Sequence, residues 1–253
     1  MAFPAGWITP GWPAPGNVLA TCTTRTGGVS QSPYDSLNLG DHVADDPAAV
    51  AGNRAAFAAA LGARPVFLKQ VHGRDTVELL RGTADGTQAD GCFTRERGVG
   101  CTIMVADCLP VLFTTRTGDV VGAAHAGWRS LAGHEGQGIL EAVFSRMEAR
   151  PAEVLAWLGP CIGPDTFEVG PEVRAAFMER DAGAASLFRT HGPSKFFADL
   201  PGLARRRLQA LGVEAIYGND GTRPWCTVSN PSIFFSHRRD RISGRLAASI
   251  WLA

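Results

Sequence analysis

Three residues of this chain, His72, Cys108 and His125, have the types and settings needed to hold a metal ion. They lie in the short segments Leu68-Lys69-Gln70-Val71-His72-Gly73, Ala106-Asp107-Cys108-Leu109-Pro110 and Ala124-His125-Ala126-Gly127-Trp128-Arg129. One thiolate and two neutral imidazoles suit zinc, and three protein ligands leave a fourth position for water or substrate, as in a catalytic site. Their wide separation along the chain points to assembly from separate elements rather than a zinc finger. Taken singly, Cys108 reads as a small buried hydrophobe and each histidine as a satisfied structural residue. Only the elements that bring them together favour a metal.

Val18 to Thr24 reads as a strand. Asp46 followed by Pro47 predicts a capped helix start, an Ala-rich helix follows to Leu61, and Gly62 closes it. Val66 to Gln70 and Thr76 to Leu80 read as paired strands, with His72 at a strand end or in the tight turn between them. Gly100 to Ala106 predicts a buried strand. Val111 to Thr115 and Asp119 to His125 form an expected hairpin about Thr117-Gly118, which sets position 109 roughly opposite 125 and makes Cys108 and His125 neighbours. Helices are expected from Ile139 to about Arg150, from Pro171, and from Asp199 to about Leu211. Strands are expected at Glu153 to Leu158, Val213 to Tyr217 and Leu246 to Leu252. The simplest account is one α/β domain over 1–253, without repeats or linkers.

Other polar residues supply further candidates. Asp107 beside the thiol could orient a ligand histidine or move protons, and on its own reads as a turn former before Leu-Pro. Arg25, Arg129, Arg238 and Arg239 would suit phosphate if they converge, although any one of them alone reads as surface charge. Asn38, Lys69 and Gln70 suit substrate hydroxyl or amide edges. Cys161 is a core or pocket thiol. No Walker A or dinucleotide fingerprint is present.

Composition narrows the classes. Lys plus Arg and Asp plus Glu both total 24, and a net charge of zero argues against a nucleic-acid or membrane-surface partner. No secretory signal or membrane span is visible, and most of the six cysteines, none in a Cys-x-x-Cys pair, read as reduced core residues of a cytoplasmic protein. The chain has six histidines and no His-x-His pair. Copper chemistry of the multicopper kind is therefore not expected, since several copper ions need many imidazoles. Nothing in the chain specifies an oligomeric state.

Thr24-Arg25-Thr26-Gly27-Gly28-Val29-Ser30, Ser36-Leu37-Asn38-Leu39-Gly40 and the three ligand segments stand with Ala89-Asp90-Gly91, Leu158-Gly159-Pro160-Cys161-Ile162 and Phe234-Phe235-Ser236-His237-Arg238-Arg239-Asp240. Together they resemble the laccase-domain family, also described as polyphenol oxidoreductase, purine nucleoside phosphorylase or peptidoglycan editing factor. The resemblance spans nearly the whole chain. It implies an α/β sandwich with a mixed sheet and zinc on His72, Cys108 and His125. It implies phosphorolysis of adenosine, inosine, guanosine or methylthioadenosine, and deamination of adenosine, so the partners would be a purine nucleoside and phosphate. Alternatives are a cytoplasmic amidase editing nucleotide-linked muramoyl-serine, a metal-free hydrolase with Cys108 as nucleophile and His125 as base, and a zinc-stabilised partner protein without turnover. Two departures stand out: Ser130 where the family usually has Gly, and His237 where it usually has Tyr.

Overall fold

The computed structural model describes residues 3–253. In chain order its elements are β1 (Val18–Cys22), α1 (Pro47–Leu61), β2 (Arg64–Phe67), β3 (Thr76–Glu78), β4 (Gly91–Thr94), β5 (Val99–Val105), β6 (Leu109–Thr115) and β7 (Val121–Ala126). Then come α2 (Trp128–Ala132), α3 (Ile139–Met147), β8 (Val154–Leu158), β9 (Glu168–Val169), α4 (Pro171–Met178), β10 (Phe188–His191) and β11 (Lys195–Ala198). The chain closes with α5 (Leu200–Ala210), β12 (Ala215–Gly218), α6 (His237–Asp240) and β13 (Leu246–Leu252). Among the described residues, no helix is long and apolar enough to cross a membrane.

A four-stranded sheet runs β1-β13-β5-β2 and a six-stranded sheet runs β12-β8-β6-β7-β4-β3. Both are mixed: β2 joins β5, and β12 and β3 join β8 and β4, in parallel, whereas the other pairs are antiparallel. Side-chain alternation decides the layers. Cys101, Ile103 and Val105 of β5 meet Leu112, Val121 and Trp157 of the larger sheet in an apolar layer between the two sheets. The opposite phase of the smaller sheet, Met104, Ala247 and Trp251, packs under Phe57 and Leu61 of α1. The opposite phase of the larger sheet, including Val111, Phe113 and Ala156, is covered by α3, α4 and α5. The result is an α/β sandwich with mixed sheets, as the family resemblance implied.

Local signals act where expected. Asp46 accepts from the Ala48 amide, Pro47 occupies the first turn, and Gly62 ends α1 in the left-handed conformation at φ 60°. Strands β6 and β7 pair with Leu109 opposite Ala126 and Pro110 opposite His125. The expected register is therefore correct to within one residue, with β6 starting two residues earlier and β7 two residues later than expected.

One pairing differs. Strands β2 and β3 are not partners: β2 lies in the smaller sheet and β3 at the edge of the larger. The segment between them cannot close as a hairpin because the Asp90 carboxylate takes up three successive amides, those of Val71, His72 and Gly73. The short strands β4 and β9 to β11 and the short helices α2 and α6 lie too close to loop signals to be read from periodicity.

Candidate metal centre

His72, Cys108 and His125 come together from three separate pieces of the fold. His72 sits in the bend after β2, with a positive φ of 60°. Cys108 lies in the three-residue crossing from β5 in one sheet to β6 in the other. His125 is carried by β7 and is buried. One ligand atom from each lies within 4.8 Å of those of the other two, so the group could hold a metal ion. Cys108 Sγ is 3.7 Å from His72 Nε2, and the two imidazole centroids are 4.7 Å apart. Gly127 makes this approach possible. A Cβ there would stand 2.9 Å from His72 Cδ2 and 3.1 Å from Cys108 Sγ.

Asp90 organises the group. Its wholly buried carboxylate accepts from the amides of Val71, His72 and Gly73 at 3.1, 2.9 and 2.7 Å. It also faces His125 Nδ1 at 2.8 Å. An ionised carboxylate only accepts, so His125 donates from Nδ1 and presents Nε2 to an ion. The His125 amide donates to the Asp90 carbonyl at 2.8 Å, which extends the β4–β7 pairing. Burial pushes the Asp90 carboxyl up, but hydrogen bonding and charge from His125 and the bend amides leave it below the ordinary range. In the sequence, Asp90 stands within the Ala89-Asp90-Gly91 motif without a role of its own. Its burial and its place before β4, which pairs with the ligand-bearing β7, emerge only in the fold.

The same forces pull on the thiol and the imidazole. Burial raises the Cys108 thiol, yet charge and hydrogen bonding from His125, and then from His72, bring it down to about 6. Burial lowers His125, yet the Cys108 and Asp90 charges and hydrogen bonds raise it to about 9. Without a metal, the two form a thiolate–imidazolium pair at neutral pH.

The group opens onto a cavity of about 380 Å³. Trp128, Ile162, Phe167 and Leu200 supply apolar wall, and His42, His237, Arg238, Arg241 and Arg245 supply polar and cationic wall. Asp107 and Gln70 also line it. His42 and Arg245 were not site candidates in the sequence, because nothing near them in sequence links them to the ligand segments. Burial lowers the His42 imidazole, as does the Arg245 charge, against the pull of Asp41.

Several expected contact residues hold the wall in shape. Asp107 does not orient a ligand histidine, since Asp90 does. Its carboxylate accepts from Thr227 Oγ1 and from the Arg238 amide, both at 2.6 Å. Arg239 turns inward and donates to the carbonyls of Thr227, Val228 and Phe234 and to the Asp240 carboxylate. Asp107 and Arg239 thereby fold the segment that carries His237 and Arg238. Asn38 is wholly buried, and its Oδ1 accepts from the Gly40 and Arg245 amides. Gln70 clamps both backbone groups of Met104.

The remaining candidates lie outside the cavity. Arg25 donates to the Asp35 carbonyl and carboxylate and to the Pro231 carbonyl, and lies over the Phe235 ring. Arg129 stacks on Trp128 at 4.4 Å and faces solvent. Lys69 is exposed beside Gln88. Cys161 is a buried core thiol whose Sγ accepts from Asn219, and burial raises it well above its ordinary value. Ser130 is buried in α2, and its hydroxyl has no partner among the described residues. His237 does face the cavity.

Residues 19–253 match the protein family described as multi-copper polyphenol oxidoreductase laccase. The chain is 49% identical over 247 residues to the Escherichia coli K12 protein named purine nucleoside phosphorylase YfiH, covering 97% of this chain and 98% of that one. It is 50% identical over 250 residues to Pseudomonas aeruginosa purine nucleoside phosphorylase PA4543, covering 97% and 98%. The crystal structure of Neisseria meningitidis protein NMB0706 superposes with a TM-score of 0.92 at 45% identity, covering 98% of this chain and 99% of that one. With its ligand-bearing segments, its sandwich of mixed sheets and these full-length relatives, the chain belongs to the polyphenol oxidoreductase laccase family.

Proposed function

We propose that this protein is a zinc-dependent purine nucleoside enzyme that cleaves nucleosides with phosphate, taking adenosine, inosine, guanosine or methylthioadenosine, and that deaminates adenosine. One observation carries the reading: the His72–Cys108–His125 group opens onto a cavity of nucleoside size that is apolar on one side and cationic on another. Relatives of about half identity and full length bear the name purine nucleoside phosphorylase.

Two imidazoles and a thiolate on one open face fit a single zinc ion. A blue-copper centre shares this donor set but adds an axial thioether. Met104, which lines the cavity, turns its sulfur toward Arg54 at 3.7 Å. When bound, zinc supplies Lewis acidity, which polarises a substrate atom or brings the pKa of water to about 7.

The chain's own residues account for the rest of phosphorolysis. Trp128, Phe167, Ile162 and Leu200 offer apolar surface to a purine. The arginines face an attacking phosphate. A phosphate oxygen forms a bond to C1′ as the C1′–N9 bond breaks, the bonding pair leaves with the purine, and a proton reaches a ring nitrogen. The imidazole of His237 lines the cavity and can deliver that proton, while His42 offers a neutral ring beside it. Asp107, with both oxygens accepting hydrogen bonds, positions the wall.

The thiolate–imidazolium pair favours one second reading, in which Cys108 attacks directly and His125 serves as acid and base. The test incubates metal-analysed protein with adenosine or inosine, with and without phosphate, before and after chelation. The expected products are free base and ribose 1-phosphate, formed only with phosphate and lost on chelation and in Cys108→Ala. Full activity of chelated protein would move the assignment to the thiol. Turnover of nucleotide-linked muramoyl-serine alone would replace the nucleoside by an amide substrate.

A further inference from the structure

We propose that Arg245, Arg241 and Arg238 form a built oxyanion subsite that holds a phosphoryl group in the cavity beside His72, Cys108 and His125. The inference rests on the nucleoside–phosphate reading above and assigns the anion to residues other than Arg25, Arg129 and Arg239.

Position in the cavity wall together with the lack of a carboxylate partner sets these three apart. Arg25, Arg54, Arg207 and Arg239 each lie within 4.0 Å of a carboxylate. Arg129 and Arg174 stack on Trp128 and Phe196. Among the described residues, Arg238, Arg241 and Arg245 form no ion pair, yet all three line one cavity. Asp107 is the only carboxylate in that wall, and its two oxygens are taken up by Thr227 and the Arg238 amide. The wall therefore carries uncompensated positive charge.

The guanidinium of Arg245 is also held in place. Its amide donates to Asn38 Oδ1 at 2.8 Å, and its Nη1 donates to the Ser243 and Gly244 carbonyls at 2.7 and 3.1 Å. A Cβ on Gly40 would stand 2.7 Å from Arg245 Cγ, so the stem rests on bare backbone. Nε and Nη2 have no acceptor among the described residues. Arg238 is steadied from the other side, with Nη1 on the Glu168 carbonyl at 3.0 Å and its guanidinium over Phe167. Immobilised forks with spare donors and no counter-charge suit a tetrahedral dianion. A half-buried cation left without one is costly. Inorganic phosphate and the phosphoryl group of a nucleotide present the same chemistry, and the experiment separates them.

Zinc-loaded protein is titrated calorimetrically with inorganic phosphate and, separately, with a nucleoside monophosphate, as wild type, Arg245→Met, Arg245→Lys, Arg241→Met and the remote control Arg174→Met. The expected result is that the phosphate Kd and the phosphate KM of phosphorolysis rise about tenfold or more in Arg245→Met. Lys restores part of the loss, and the nucleoside KM stays within about twofold, as expected for separate subsites. Arg241 is exposed, so Arg241→Met keeps the test valid if the buried variant misfolds. Tight binding of the monophosphate alone, weakened by the same substitutions, supports the subsite and assigns its occupant to a nucleotide. Loss of phosphate binding in the variants of a protein that performs no phosphorolysis keeps the subsite and removes the functional reading. Unchanged phosphate affinity and KM in both Met variants, or no anion binding by the wild type, overturns the proposal.

Discussion

Proton inventory at the metal group follows from the opposed shifts of Cys108 and His125. Between about pH 6 and 9, the pair carries one proton, and that proton sits on the imidazole. An ion needs both the thiolate and the neutral imidazole, so binding must expel it. Calorimetric zinc titration in buffers of different ionisation enthalpy should therefore report about one proton released at pH 7.5. The number should fall toward zero above about pH 9 and rise as the pH drops below about 6. A pH-independent count of zero would mean that Nε2 is already free of its proton. Residue types made the three ligands legible in the sequence, because thiol and imidazole have few other uses in such company. The work of Asp90 was not legible, since three of its partners are backbone amides, which no sequence distinguishes, and only the fold brings it to His125. Arg245 was hidden for a related reason: the Asn38 carboxamide that fixes it lies 207 residues away.

Elements set how closely the ligands meet, and the turn from β7 into α2 is the tightest point. Its pivot is Gly127, whose missing Cβ leaves room for both His72 and Cys108. Gly127→Ala should leave the helix and strand content intact by circular dichroism while lowering zinc affinity by about tenfold or more, the scale seen when a ligand's support is disturbed. Unaltered zinc affinity would show that the bend at His72 yields at little cost. The β6–β7 hairpin was readable because alternation and a Thr-Gly turn specify both partners locally. The supposed β2–β3 hairpin failed because its turn amides bind a side chain from another segment, and only the folded chain brings Asp90 to them. Helix α1 was readable to the residue because its cap, its proline and its closing glycine act within the helix itself.

At the scale of the whole molecule, the two sheets meet through an apolar layer and are tied at one end by the ligand group. His72 follows β2 of the smaller sheet, His125 belongs to the larger, and Cys108 sits on the strand of chain that crosses between them. An ion held there stabilises the folded state by about 4 kcal/mol when present at a thousandfold excess over its Kd. Chelation should therefore lower Tm by roughly 8–16 °C for a domain of this size, and zinc should restore it. A melting curve indifferent to chelator would mean that the apolar layer alone holds the sheets. Strands β5, β6 and β13 were readable as strands, whereas the crossing at 106–108 was not, because a three-residue connection carries no mark of which sheet comes next. That crossing makes the ligand set a gauge of the sandwich. Any sliding of one sheet over the other must stretch the thiolate away from an imidazole, so the spectrum of a cobalt-substituted protein would register distant disturbances of the core as changes in colour.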